Sequence, residues 1–210
     1  SQVVTANIYL PNPNDPQLDP YHTFAQQIPF NRELLRRANA IPGVELAAIT
    51  SNLPAADTIN SDAAAYGATN HNLLDIEDQP TESSGDLSAE VIRISPDYFR
   101  VIQTPLVEGR FFTEDDENGK LPVAIIDEAT ARRYWGPDHD PVGRRLRIRL
   151  RFGQNPVNPW SSVVGVVKNI KHDGLDVDGV PHLYVPLNQF LGRSLSLALR
   201  TSLPARTLEA

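Results

Sequence analysis

Apolar and polar positions alternate along this chain in two rhythms, one strand-like and one helical. Val3 to Leu10 is rich in apolar and β-branched residues and is closed by Pro11, which predicts a strand. The Pro-Asn-Asp run from Pro11 to Pro20 predicts an exposed loop. Phe30, Leu34, Leu35, Ala38 and Ile41 then recur at helical spacing, with Asn31 as the candidate cap and Pro42-Gly43 as the stop. Val44 to Thr50 follows as a second strand, so the N-terminal stretch predicts a β-α-β unit.

From Ser51 to Ser88 the chain turns polar and small, which predicts loops with at most a weak hairpin; Ala89 to Ile94 then returns as a strand. Ser95-Pro96-Asp97 is a helix start: serine can accept from first-turn N–H groups, proline is pre-set for the first helical position, and a carboxylate suits the positive helix end. This short helix would carry Tyr98, Phe99 and Ile102 inward. Thr113 followed by Glu114, Asp115 and Asp116 repeats the acidic helix-start pattern. Val123 to Ile126 predicts a short buried strand that hands over at Asp127 to a helix ending before Gly136-Pro137. Ser162–Ile170, Leu183–Val185 and Leu195–Arg200 supply three more strands, with a turn-rich segment from Asp173 to Pro181.

Arg144 to Phe152 has a clear period of two. Leu146, Ile148, Leu150 and Phe152 fall on one face, and Arg145, Arg147, Arg149 and Arg151 on the other. This predicts an amphipathic strand with a basic outer face. That face reads either as a docking stripe for a partner or anionic ligand, or as a solvated edge strand whose charges deter sheet-to-sheet association. The rest of the chain, being acidic, can supply counter-charges.

With 210 residues, 40% of them hydrophobic, the chain can bury a substantial core. No apolar run approaches the roughly 18 residues that span a bilayer, and no signal peptide is present. The net charge of −7 argues against nucleic-acid binding. With no cysteine there is no disulfide, thiolate metal site or cysteine nucleophile. The chain lacks methionine, opens almost directly into a strand-like run and stops at Thr207–Ala210 where a helix should begin, as if cut from something longer.

Candidate chemistry is sparse. His172-Asp173 sits in a turn before Gly174, without the further ligands a metal-dependent phosphohydrolase needs. His22, His71, His139 and His182 are scattered through predicted loops, with no i,i+4 pair and no HExxH pattern. Reading Glu114–Gly119 as a calcium loop fails at its twelfth position, where Ile125 stands in place of the bidentate glutamate. No GxSxG, GxGxxG or GxxxxGK[ST] motif occurs, so any linked ATP hydrolysis belongs to another domain or chain. Trp135 and Trp160 could stack on a ligand, but each borders an apolar element and reads as packing.

Several segments in fixed order carry a resemblance that none carries alone: SPDYF from Ser95, EGRFF from Glu108, ARRYWG from Ala131, DPVG from Asp140, VVGVV from Val163 and PHLYVPL from Pro181. Their succession resembles the MacB-like periplasmic core domain, the extracytoplasmic module that ABC-type permeases of the MacB/FtsX superfamily carry between transmembrane helices. Within that superfamily it is most similar to the duplicated permeases typical of acidobacteria. The resemblance covers most of the chain and is strongest from Ile94 to Leu187.

The resemblance implies an α+β, two-lobed periplasmic domain. A porter-like lobe of β-α-β units would take residues 1–51 and 190–210, and an inserted mixed α/β lobe residues 52–189. The helix and strand that complete the second β-α-β unit of such a lobe are missing or barely begun. The implied function is non-catalytic: no enzyme activity and no cofactor in this domain, which would relay conformational change from transmembrane helices to periplasmic partners or substrate. Implied partners are the transmembrane helices of the same permease, an ATPase domain or subunit, and a periplasmic adaptor or a second permease protomer. Docking would fall on Arg145, Arg147, Arg149 and Arg151 or on the excursion from Ser51 to Ser88. A periplasmic small-molecule-binding or sensor domain is the alternative, and a small hydrolase the weaker rival.

Overall fold

A computed structural model describes residues 1–11, 13, 16–53, 71–78, 87–137, 140–149, 159–170, 181–190 and 192–204. In chain order its elements are β1 (Gln2–Tyr9), α1 (Phe24–Asn39), β2 (Val44–Thr50), β3 (His71–Ile76), β4 (Ser88–Ile94), α2 (Tyr98–Val101), β5 (Leu106–Gly109), β6 (Val123–Asp127), α3 (Glu128–Trp135), β7 (Arg145–Arg149), β8 (Ser161–Val167), β9 (His182–Pro186) and β10 (Ser194–Thr201). Strands dominate, with few helices.

β10 lies between β1 and β2 and is antiparallel to both, so β1-α1-β2 is a β-α-β unit split by a strand from the far end of the chain. The leucines of β10 explain its central place. Leu195, Leu197 and Leu199 face α1 with Ala47 and Ile49, while Ala198 faces the opposite way with Ala48.

The remaining strands close on themselves. β4 pairs with β3, β3 with β7, β7 with β8, β8 with β6, β6 with β9, and β9 with β4 again, which makes a six-stranded ring. All six contribute to one apolar cluster: Leu74 and Ile76, Ala89, Ala124 and Ile126, Leu146 and Ile148, Val163 and Val166, Leu183 and Val185. That cluster is the ring interior, with Tyr134 of α3 packed into it. Every residue of β6 and β9 is buried, because their other faces meet α2 and the split sheet through Ile125, Tyr184, Phe99 and Tyr98. Strands covered on both sides read as continuous apolar runs, as β6 does.

The ring is joined to the split sheet by a short seam. β2 and β4 share one register pair, Thr50 with Ile94. Two serines extend it: Ser95 Oγ accepts from Ile49 N–H at 2.9 Å, and Ser51 Oγ accepts from Arg93 N–H at 2.9 Å.

Four sequence expectations change here. α1 begins at Phe24, seven residues before Asn31, because Thr23 and Gln26 form a capping box in which Gln26 Oε1 accepts from Thr23 N–H at 2.9 Å. Pro29 therefore falls inside this helix. Ser95 is not a helix cap but a seam residue, as its bond to Ile49 shows. Thr113–Asp116 is a turn and not a helix start, since Asp116 Oδ2 accepts from Thr113 N–H at 2.8 Å and Arg110 clamps the same carboxylate at 2.7 Å. Finally, the polar excursion contains the ordered strand β3, paired on both sides; residues 54–70 and 79–86 lie outside the described residues.

Candidate functional site

The basic stripe exists, and it is not at a sheet edge. β7 is paired with β3 on one side and β8 on the other. Leu146 and Ile148 point into the ring, which leaves Arg145, Arg147 and Arg149 on its outer wall. Arg151 lies outside the described residues. The three arginines are matched by two carboxylates, Asp75 of β3 and Glu77 in the turn just after it. Arg147 donates to Asp75 through two nitrogens, at 2.6 and 3.0 Å, and Arg149 donates to the other oxygen of the same carboxylate. Arg145 donates from Nε to Glu77 at 2.8 Å. Arg147 also lies over the Trp160 ring at 4.8 Å, which gives that tryptophan a cation–π role beyond packing.

Burial of Asp75 works to raise its pKa, but hydrogen bonds from Arg149 and Arg147 outweigh it and hold the carboxyl below the ordinary range. At Glu77 the hydrogen bond from Arg145 does the same. The stripe is therefore a lattice with its own counter-ions, although Arg145 keeps 49% and Arg149 37% of its side-chain surface open. Asp75→Asn should remove the shared acceptor, cost about 1–2 kcal/mol in urea unfolding and make the wall more basic. An unchanged midpoint would show that the lattice contributes nothing to stability.

A second polar cluster, buried, was not legible in the chain. His182, which sequence spacing placed in a loop, opens β9 and is 4% exposed. Its Nδ1 meets Asp127 Oδ2 at 3.0 Å and its Nε2 faces Glu90 Oε2 at 3.4 Å. The three side chains come from β9, β6 and β4. Asn52 donates to the far oxygen of Glu90. Asp127 also caps α3, its Oδ1 accepting from Thr130 N–H at 2.8 Å, and Thr130 Oγ1 donates to His182 O at 3.1 Å. Burial of His182 lowers its pKa, but the hydrogen bonds to Asp127 and Glu90 overcome that and push it up to about 9. The imidazolium is held as a charged link among three strands. His22 is an exposed loop residue near Asp19, and His71 begins β3. Residues 138, 139 and 171–180 lie outside the described residues, His139 and the His172-Asp173 doublet among them. Among the described residues no group of histidine and carboxylate side chains is arranged to hold a metal ion.

A crevice of about 260 Å³ lies between α1 and the ring. Asn31, Leu35 and Arg36 form one wall, Ile94 to Pro96 the floor, and Phe112 to Glu114 with Pro186 to Asn188 the other sides.

Comparison with known proteins sets these features in a family. The family model for the MacB-like periplasmic core domain matches residues 3–208. A protein described as "Probable syringafactin export ATP-binding/permease protein SyfD", from Pseudomonas syringae pv. syringae, is 33% identical over 110 residues, 52% of this chain and 16% of that protein. The "Macrolide export ATP-binding/permease protein MacB" of Marinobacter nauticus is 33% identical over 106 residues, 50% of this chain and 15% of that protein. The matched stretch is thus a small part of these relatives. The solved periplasmic region of MacB from Actinobacillus actinomycetemcomitans superposes with a TM-score of 0.56 at 16% identity, over 98% of this chain and 78% of that one. The extracellular domain of the noncanonic ABC-type transporter YknZ from Gram-positive bacteria gives 0.58 at 16% identity, over 99% and 88%. At that identity the likeness concerns the fold. The chain belongs to the MacB-like periplasmic core domain family and is an extracytoplasmic domain of the ABC transporter permease type.

Proposed function

We propose that this domain is a non-catalytic relay, passing conformational change from the transmembrane helices of its permease to periplasmic partners or substrate. The observation that carries the reading is the pairing of Gln2 with Thr201 across β1 and β10. The chain entering the domain and the chain leaving it stand side by side, so a displacement of two membrane helices would act at one place on the split sheet. The seam of Thr50, Ser51, Ile94 and Ser95 then carries it into the ring.

On this reading the fold has two lobes. The split sheet with α1, residues 1–51 and 190–210, is the porter-like lobe, and residues 52–189 form the inserted lobe. ATP hydrolysis belongs to a separate domain or subunit, since the chain lacks a phosphate loop. A periplasmic adaptor or a second permease protomer would dock on the outer wall of the ring, where Arg145, Arg147 and Arg149 stand, with Arg151 further along the chain.

Topology reporters fused on either side of the domain in the intact gene test the proposal. Flanking helices with the domain outside are the expected result, and a reading frame without such helices would sink it. For the docking wall, replacing Arg147 and Arg149 with serine is expected to abolish partner capture; an unchanged pull-down removes those residues from the interface. The crevice beside α1 favours a second reading, a small-molecule-binding domain, because apolar walls with a few convergent polar groups are the usual form of a ligand site.

A further inference from the structure

The charges around the crevice do not cancel locally. Arg32 is neutralised by Glu117 at 2.6 Å, and Asp116 by Arg110 at 2.7 Å. Glu33, however, is shared by two guanidiniums, Arg36 and Arg37, each at 2.7 Å, so that end of α1 keeps one positive charge in excess. Glu114, on the opposite side, is exposed and has no partner among the described residues, which leaves one negative charge there. Between the two lie the apolar side chains of Leu35, Ile94, Phe112 and Leu187.

One wall also contains an unmet acceptor. Asn31 is 4% exposed and donates its Nδ2 to Asn188 Oδ1 at 3.1 Å, while its own Oδ1 has no protein partner. Burying a polar atom without a partner is unfavourable.

We infer that this crevice binds a free amino acid with an apolar side chain, its carboxylate toward Arg36, its ammonium toward Glu114 and its side chain among Leu35, Ile94, Phe112 and Leu187. Size agrees with the assignment. The 260 Å³ volume falls below the roughly 300–1,000 Å³ of sites for drug-sized ligands, which suits a molecule of one residue. A dianion would meet Glu114 without compensation, and an apolar molecule without charges would leave both rim charges unmatched. The inference rests on the ligand-binding reading and does not depend on what flanks the domain in the intact gene.

Titration of the 210-residue protein with L-leucine and L-phenylalanine, followed by amide chemical shifts and calorimetry, tests it. Shifts are expected in the middle of α1 and in the turn from Phe112 to Asp116, saturating at millimolar or lower ligand. N-acetyl-leucine lacks the ammonium and leucinamide the carboxylate, and each should bind at least about tenfold more weakly. Glu114→Gln and Arg36→Gln, both at exposed positions and expected to leave the unfolding midpoint unchanged, should each weaken leucine binding by a similar factor. Absence of shifts with either amino acid overturns the inference. Equal binding of a blocked derivative also overturns it, because a peptide terminus rather than a free amino acid would then be the ligand. The topology experiment on the permease reading has a separate outcome, so the two can fail independently.

Discussion

Replacement of His182 by leucine is expected to destabilise the domain by about 3–5 kcal/mol, because it leaves Asp127 and Glu90 facing each other in the interior without their shared cation. The wild-type protein should also lose stability as the pH rises. Its folded-state pKa of about 9 lies above the unfolded value of 6.5. A raised pKa means that the folded state binds the proton more tightly, so the contribution is complete below pH 6.5. It declines as the pH rises through the folded pKa, and it is gone above it. From these two values the loss amounts to about 3 kcal/mol between pH 6 and pH 10. Urea unfolding across that range measures it. The His182→Leu protein should start lower and show little further decline, and an equally steep decline in the variant would assign the slope to other groups.

This cluster shows what local sequence cannot reveal. Glu90, Asp127 and His182 are separated by tens of residues, and no spacing rule relates them. Only closure of the ring, with β9 between β4 and β6, brings them together. The ring strands with strong local signals, β6 and the apolar half of β7, were visible because their burial imposes a pattern. β3 was hidden because its residues HNLLDI mix three apolar and three polar residues without a clean alternation, and its pairing with β7 sets Asp75 against Arg147. The same distance explains the arginine stripe. Its period of two was plain, but its ion partners, on β3 and in the turn after it, lie some seventy residues earlier, so the sequence could not say whether the stripe was free or paired. The order of motifs, by contrast, was sufficient to recognise the family, because family identity depends on succession rather than on contacts.

Adding one methyl group at Gly165 should cost about 3 kcal/mol or more, more than at Gly143 and less than at Gly109. β5 and β8 approach so closely there that a Cβ on Gly165 would stand 2.3 Å from the Arg110 carbonyl oxygen. That oxygen is backbone and cannot swing aside, and Arg110 N–H is itself tied to Val164 O at 2.8 Å. Gly109, the register partner of Gly165, carries two penalties: its φ is +75°, and its Cβ would stand 2.2 Å from Val164 O. Gly143 separates the two causes, since its φ is +86° with nothing within 4 Å of an added Cβ. Gly143→Ala should therefore lose only the left-handed backbone preference, about 1–2 kcal/mol. Gly165→Ala loses space without any φ penalty, and Gly109→Ala loses both. Urea midpoints of the three variants, at constant m-value, should rank Gly143→Ala above Gly165→Ala above Gly109→Ala. If Gly165→Ala unfolds within about 0.5 kcal/mol of the wild type, as ordinary surface substitutions do, the β5–β8 contact is not the close approach described here.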